Sequence, residues 1–234
     1  MTVPPRAEFP DTRSWIRAFP GATTSPPSSG LPMPGDPDLP ADPVALFVSW
    51  LEESVAAGVV EPHVATLSTV DPSGDPDART LLLKDVTERG WWFSGDERSP
   101  KAAQLGAHPA AALTFYWREQ GRQVRVRGRI ERGGADVSAR DFRERSVTAR
   151  AVAAASRQSE ILADAAEYDA VVRAAESEME ADRSFVSATW QAWCLVPATV
   201  EFWHADPGRR HLRVRYRRLP PPEGSGWRLD ALWP

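Results

Sequence analysis

The order of apolar and polar positions divides this chain into a long arm and a folded domain. Asp42 and Pro43 read as a helix N-cap and a proline at the first helical position. The segment ALFVSWLEESVAAG then carries helically spaced apolar residues up to Gly58. Residues 1–41 are rich in Pro, Gly, Ser and Thr, so we expect a disordered arm there. The domain is predicted to span residues 42–234.

Short apolar runs separated by turn signals predict strands from His63 to about Arg132. The runs are VATLSTV, ARTLLLKDV, WWFSG, AALTFYW and RQVRVRGRIER, with a helix, SPKAAQLGAHP, between the third and the fourth. In the last run Val124 and Val126 alternate with arginines at positions 125, 127 and 129. One face of this strand is therefore predicted to face the core, and the other to face water or a ligand.

A helical pattern covers residues 136 to about 182, and strands are predicted again after it. The helical segments are DVSARDFRERSVTARAVAAASRQSEIL and ADAAEYDAVVRAAESEMEAD, and the later strands are ATWQAWCLVPATVEFWHA, RRHLRVRYRRL and GWRLDALWP. Because strands flank the helices on both sides, we expect the last strands to join the first sheet. The predicted fold is mainly β, with antiparallel strands in a barrel or sandwich and peripheral helices.

Composition narrows the classes of function. The net charge of -4 and the sequence pI near 5.7 argue against nucleic acid as the main partner. No apolar run approaches the length that crosses a bilayer, and the first residues lack a secretory signal, so a cytoplasmic protein without a membrane partner is expected. Cys194 is the only cysteine, which excludes an intrachain disulfide and a thiolate metal cluster, and no metal site is predicted.

Basic and small residues are concentrated in the stretch DARTLLLKDVTERGWWFSGDERSPK. Arg79 and Lys84 bracket the apolar run TLLL, while Ser94 and Gly95 end the next predicted strand. Lys101 lies at a predicted helix N-terminus, where free N–H groups and the helix dipole favour a phosphate. The stretch therefore predicts an anion site. A β-hairpin with solvated charges at its ends would have the same pattern.

Five motifs occur in an order that resembles one enzyme family. They are RTLLLK, FSG followed by SxK, the RQV strand, RQSE, and EFW followed by RxHxR. In this order they resemble the pyridoxamine 5′-phosphate oxidase family of FMN-binding split barrels, over residues 39–234. The resemblance implies an antiparallel split β-barrel and a homodimer with one FMN at each of two subunit interfaces.

The resemblance also implies which residues bind FMN. The phosphate would be held by one group of residues: Arg79, Ser94, Gly95 and Lys101, with Gln158 and Ser159 from the other subunit. The isoalloxazine ring would be contacted by a second group: Gln123, Trp203 and Arg213. Lys84 is expected at both the cofactor and the substrate.

The family's substrate site matches this chain less completely. Lys84 and Arg145 match positions that bind the substrate phosphate. Arg209 and His211 match the residues that lie against the substrate ring, and the resemblance implies that they are the catalytic residues. Three positions depart from the family pattern: Asp141 stands in place of Tyr, Ala149 in place of Ser, and Pro100 in place of an Arg at the FMN phosphate.

The implied activity is oxidation of pyridoxine or pyridoxamine 5′-phosphate, with hydride transfer to flavin and reoxidation by O₂. The motifs TFYWRE and SRQSE also resemble the branch that oxidises reduced phenazine precursors. A non-catalytic protein that stores flavin or pyridoxal phosphate is a further alternative, and the same barrel serves other chemistries. At the level of single residues, Trp203 is also compatible with a core position, and RRHLRVRYRR with a polyanion-binding strand.

Overall fold

The computed structural model describes residues 5–17, 31–206, 208–220 and 226–234. Within these ranges nine strands form one antiparallel sheet, which confirms the predicted mainly β fold with peripheral helices. The strands are β1 (Val64–Val70), β2 (Pro76–Leu82), β3 (Asp85–Thr87), β4 (Gly90–Asp96), β5 (Ala110–Trp117), β6 (Arg122–Arg132), β7 (Trp190–His204), β8 (Leu212–Arg218) and β9 (Trp227–Ala231). Their order is β2-β1-β5-β6-β7-β4-β3. In addition, β8 pairs with β7, and β9 pairs with β8.

The helices lie between and before the strands. They are α1 (Thr12–Arg17), α2 (Pro43–Ala56), α3 (Pro100–Ala107), α4 (Ala135–Glu144), α5 (Val147–Ala155) and α6 (Ala165–Ala181). Asp42 caps α2 as predicted, because its Oδ1 accepts from the Val44 N–H at 3.0 Å. In the part of the chain that the structure describes, no helix has the length and apolar content needed to cross a bilayer.

The core fills the inside of the curled sheet, and α2 covers one end of it. Val124 and Val126 are fully buried, while the arginines that alternate with them are exposed or half-buried on the outer face. Phe47 of α2 packs edge-on against Trp91 and Phe115, with ring centroids 5.5 and 4.9 Å apart. The alternation predicted from RQVRVRGRI is therefore confirmed.

A β-bulge interrupts the pairing of β6 with β7. Arg127 pairs with Thr199 and Gly128 pairs with Pro197, so Ala198 has no partner on β6. A Cβ atom at Gly128 would lie 1.9 Å from the Val196 carbonyl oxygen, so only glycine allows this approach. A proline within a strand is expected at such a bulge, where a ladder hydrogen bond is already lost.

Two predicted elements are divided in the structure. The run ARTLLLKDV is split at residues 83 and 84 into β2 and β3. The predicted helix from residue 136 to 162 is split at Arg145, and Ser146 caps α5 by accepting from the Ala149 N–H at 3.2 Å. A serine inside a helical pattern competes for backbone N–H groups, which explains the new helix start.

Part of the predicted arm packs on the barrel. Leu31 is only 3% exposed and belongs to the main core, and the hydroxyl of Tyr216 donates to the Pro40 carbonyl oxygen at 2.7 Å. The packed region therefore begins by residue 31, before the predicted boundary at Asp42. Residues 1–4 and 18–30 of the predicted arm lie outside the described residues.

Candidate functional site

A cavity of about 590 Å³ lies between the barrel and the helices that follow β6. One wall consists of parts of β2 and β4 with the first turn of α3, and the other consists of α5, residues 156–162 and the beginning of α6. It brings together seven of the residues predicted from the sequence: Arg79, Ser94, Gly95, Lys101, Arg145, Gln158 and Ser159.

Lys101 is the most deeply buried cation of this cavity, with 7% exposure. Its Nζ donates to Ser99 Oγ at 3.0 Å and to Gln158 Oε1 at 2.9 Å. Burial, together with the smaller effect of the Arg79 charge and against the opposing effect of Asp96, lowers the pKa of Lys101 to about 8. Among the described residues, no carboxylate forms an ion pair with Lys101, so its charge is available to an anionic ligand.

Gly95 and Ser94 shape the space around this lysine. A Cβ atom at Gly95 would lie 2.6 Å from Lys101 Cε and 2.9 Å from its Nζ, so the missing side chain makes room for the lysine. Ser94 Oγ is buried and has no hydrogen-bond partner in the described part of the chain. Because a buried hydroxyl without a partner is unfavourable, Ser94 fits a ligand oxygen.

Arg79 is held by neighbours on three elements. Its Nη1 donates to Thr69 Oγ1 at 2.5 Å, and its Nη2 donates to Gln104 Oε1 at 2.8 Å and to Asp77 Oδ2 at 2.5 Å. Its side chain is 23% exposed. The guanidinium is therefore fixed before any ligand arrives, and Asp77 balances part of its charge.

The segment after α5 is tied to the end of β4. Arg98 pairs with Asp96 at 2.5 Å and also donates to the Ser156 carbonyl oxygen at 2.9 Å. Ser159 has a positive φ of 72°, which is uncommon for a residue with a side chain. Gln158 thus reaches Lys101 of its own chain, whereas the resemblance implied an approach from the other subunit.

Trp190 connects two residues of the predicted substrate site. Its indole N–H donates to Asp141 Oδ2 at 2.7 Å, and the guanidinium carbon of Arg145 lies 4.2 Å from the centroid of its ring. Arg145 also donates to the Ala149 carbonyl oxygen at 3.0 Å, while its Nε is buried without a partner among described residues. Burial lowers the pKa of Arg145, and Asp141 opposes this shift.

The structure places Lys84 in a different, smaller cavity. This space of about 110 Å³ lies beside α4 and the β3–β4 hairpin, and is also lined by Asp141 and Glu144. The two cations predicted for the substrate phosphate, Lys84 and Arg145, therefore border separate cavities. Asp141 and Trp190 link them, because Asp141 borders the small cavity and Trp190 the large one.

The residues expected at the flavin ring form a row across three strands. Gln123 lies opposite Trp203, and Trp203 lies opposite Arg213. The ring of His211 packs at 4.9 Å from that of Trp203, and its Nδ1 accepts from the Asp206 N–H at 3.1 Å. The amide of Gln123, the flat indole ring of Trp203 and the guanidinium of Arg213 therefore belong to neighbouring positions of the sheet.

Arg213 and Arg209 are positioned in different ways. Arg213 donates to Glu201 Oε1 from Nε at 3.1 Å and from Nη2 at 2.7 Å, and its Nη1 donates to the Trp233 carbonyl oxygen at 2.8 Å. Arg209 is exposed and has a positive φ of 61°, in the turn between β7 and β8. Arg213 is thus held by hydrogen bonds to its neighbours, while Arg209 lies exposed in a turn.

The two groups of predicted residues occupy different parts of one chain. Ser94 pairs with Ala192 near the beginning of β7, and Gln123 pairs with Trp203 near its end. Along an extended strand this separation is roughly 36 Å at about 3.3 Å per residue. The large cavity contains none of the ring-facing residues described above.

Sequence reasoning missed two residues that organise the site. Trp190 is one of ten tryptophans, and nothing in its local sequence distinguishes it from a core residue. Glu201 did carry a signal, because it is the acidic residue of the EFW motif, between apolar neighbours of a strand. An acidic residue within an apolar strand segment indicates a partner of opposite charge.

Comparison with known proteins gives a consistent result. The sequence profile described as "Pyridoxamine 5'-phosphate oxidase" matches residues 51–219. A pyridoxine/pyridoxamine 5′-phosphate oxidase of Burkholderia cenocepacia is 41% identical over 197 residues, which cover 84% of this chain and 91% of the relative. A protein of the same name from Thermosynechococcus vestitus is 40% identical over the same shares of the two chains.

The solved structures that are similar to this one include two that match most of the chain. PhzG from Burkholderia lata, in complex with tetrahydrophenazine-1-carboxylic acid, superposes with a TM-score of 0.76 at 29% identity, covering 87% of this chain and 98% of that one. A pyridoxamine 5′-phosphate oxidase-related, FMN-binding protein from Nostoc punctiforme has a TM-score of 0.68 at 20% identity, covering 84% and 100%, and shares the fold. From the profile match and the identity to these relatives, the chain belongs to the pyridoxamine 5′-phosphate oxidase family.

Proposed function

We propose that this protein is an FMN-dependent oxidase that removes a hydride from the carbon bearing the alcohol or amine of a flat heterocycle. Its first candidate substrates are pyridoxine and pyridoxamine 5′-phosphate. Bound FMN would supply the acceptor for this hydride, and O₂ would be the final electron acceptor, reduced to hydrogen peroxide. Pyridoxine phosphate and O₂ give pyridoxal phosphate and hydrogen peroxide; the amine also consumes water and releases ammonia.

The observation that carries the proposal is the cationic cavity with unsatisfied polar atoms. Lys101 brings a buried charge without an ion-pair partner among described residues, and Ser94 Oγ lacks a hydrogen-bond partner there. Arg79 borders the same space. A phosphate dianion accepts charge-assisted hydrogen bonds from such groups and is favoured at the N-terminus of α3. The residues present therefore fit the phosphate of FMN.

The row of Gln123, Trp203 and Arg213 supports a flavin ring site. A glutamine amide both donates and accepts, which suits the pyrimidine edge of the ring. The cation of Arg213 favours negative charge that develops nearby. Arg209 and His211 would orient the substrate beside this row. Neither side chain needs to act as a nucleophile, since the redox chemistry belongs to the cofactor.

A homodimer is part of the proposal because one chain keeps the two groups apart. The phosphate-binding residues lie at the beginning of β7 and the ring-facing residues lie at its end. A second copy related by twofold symmetry can set the ring-facing row of one subunit against the cavity of the other. Each of two equivalent sites would then be complete.

A second candidate is the oxidation of a reduced phenazine precursor. Asp141 puts a carboxylate beside Arg145 and Lys84, where a substrate phosphate would bind, and Ala149 offers no hydroxyl. Repulsion between the Asp141 carboxylate and a phosphate dianion would weaken the binding free energy of the substrate by about 1–3 kcal/mol. The similarity to PhzG supports this candidate.

The test begins with the absorbance spectrum of the purified protein, loaded with FMN where needed. Anaerobic addition of pyridoxine phosphate or pyridoxamine phosphate should then bleach the flavin band. Bleaching only by tetrahydrophenazine-1-carboxylic acid would favour the second candidate. A yellow protein that no substrate reduces would indicate a binding protein, and a chain that cannot be loaded with FMN would contradict the proposal.

A further inference from the structure

The carboxylate of Glu201 lies beneath two arginines on the outer face of the barrel. Its Oε1 accepts from Arg213, and its Oε2 accepts from Arg125 Nη2 at 2.8 Å. The side chain of Glu201 is only 9% exposed, whereas those of Arg125 and Arg213 are 41% and 27% exposed. The buried carboxylate thus forms the base of a triad whose cations face outward.

The contacts of Arg213 determine which of its N–H groups face a ligand. A guanidinium has five N–H groups. One on Nε and one on Nη2 point to Glu201, and one on Nη1 points to the Trp233 carbonyl oxygen. Two remain, one on each terminal nitrogen. Glu201 therefore fixes the plane of the guanidinium and the direction of its free donors.

Glu201 also sets the charge next to the ring-facing row. Arg213 lies opposite Trp203, and Glu201 is two residues before Trp203 on β7. Because Glu201 balances one of its two arginine partners, the triad has a net charge of one positive unit rather than two. A nearby negative charge opposes the addition of electrons to a flavin, and the effect is larger in a half-buried site than in water.

We propose that Glu201 is a positioning residue that aims Arg213 at the flavin ring and holds the reduction potential of the bound flavin down. The proposal rests on the function proposed above, since it requires FMN beside Trp203. A purely structural ion pair would make a different prediction, because its loss would change stability but not the potential. Burial of such a triad is in any case weak evidence for a stabilising role.

The test compares Glu201→Gln with Glu131→Gln in the FMN-loaded protein. Glu131 is a matched control, since it also bridges two arginines, Arg89 and Arg129. It lies near the end of β6, whereas Gln123 of the ring-facing row lies near its beginning. Glu201→Gln should shift the equilibrium toward reduced flavin by about tenfold, which is about +30 mV for a two-electron couple. Glu131→Gln should leave the potential unchanged.

A second substitution keeps the test decisive if Glu201→Gln does not fold. Arg125→Gln leaves Glu201 with Arg213 as its remaining triad partner, so the potential should move the opposite way, toward oxidised flavin. The inference is overturned if the folded Glu201 variant keeps the wild-type potential, or if both glutamate variants shift equally. It is also overturned if Arg125→Gln has no effect. Failure of the wild-type protein to bind FMN would instead contradict the proposed function, and the inference with it.

Discussion

Lys101 shows how one residue combines a sequence signal with a property that depends on the fold. Its position at a helix N-terminus is visible in the sequence, but its burial depends on Gly95 of β4 and on Gln158, which follows α5. These three residues come together only when the helices after β6 pack on the barrel. The altered pKa of Lys101 therefore could not be predicted from the sequence.

The first prediction concerns the pH dependence of FMN binding. The pKa of Lys101 in the free protein is about 8, below the ordinary value of 10.5, and phosphate binds the charged form. Fluorescence titration should show FMN affinity falling by up to about tenfold per pH unit above this pKa. Riboflavin, which lacks the phosphate, should show no such loss. A Lys101→Met variant that keeps the same pH dependence would contradict the assignment.

The second prediction uses a pair of glycines in the same region. Gly95→Ala should weaken FMN binding by about tenfold, because the new Cβ displaces the ammonium group of Lys101 from its hydrogen bonds. Gly106→Ala in α3 is the control, since a Cβ atom there would meet no described atom within 4 Å and alanine favours a helix. Equal FMN affinity of the two variants would rule out this role of Gly95.

At the scale of elements, the strands and helices were largely readable from the chain. The alternation of valines and arginines predicts β6, and Asp42 followed by Pro43 predicts the start of α2. The division between α4 and α5 was missed, because the helical periodicity continues through Ser146. The break matters for the site, since it turns Arg145 toward Trp190.

The third prediction belongs to this junction of α4, α5 and β7. Asp141→Asn keeps the acceptor for the Trp190 indole but removes the negative charge beside Arg145. Binding of pyridoxine phosphate to the FMN-loaded protein should tighten by about tenfold. Asp136→Asn, in the first turn of the same helix, is the control. If both variants bind alike, Asp141 does not select against phosphate.

At the scale of the whole molecule, the sequence pattern alone did not indicate how far the phosphate-binding residues lie from the ring-facing residues. The motifs supplied both sets of residues, but their separation along β7 follows from the pairing of β4 and β6 with β7, which the motifs do not specify. The packing of Leu31 on the core was likewise hidden by its Pro- and Gly-rich surroundings. Long-range packing decides both features.

The fourth prediction tests whether two copies share each site. Lys101→Met should impair the phosphate half and Trp203→Ala the ring half, so each variant alone should bind FMN weakly. When the two are refolded together, mixed dimers contain one site with both changes and one with neither. Part of the FMN binding should return, as measured by retained flavin absorbance. No recovery in proven mixed dimers would place each site within one chain.

The bulge at Ala198 has a consequence for how this chain tolerates changes in length. Leu195 points into the core before the bulge, and Phe202 points into it after the bulge. The inward-facing residues of β7 therefore have odd numbers before the bulge and even numbers after it. Substitutions along β7 leave this count intact. Deleting Ala198 would instead exchange the two faces of one half, turning Trp203 inward and Phe202 toward solvent. Inserting or deleting one residue in β7 should therefore destabilise this sheet more than replacing one does.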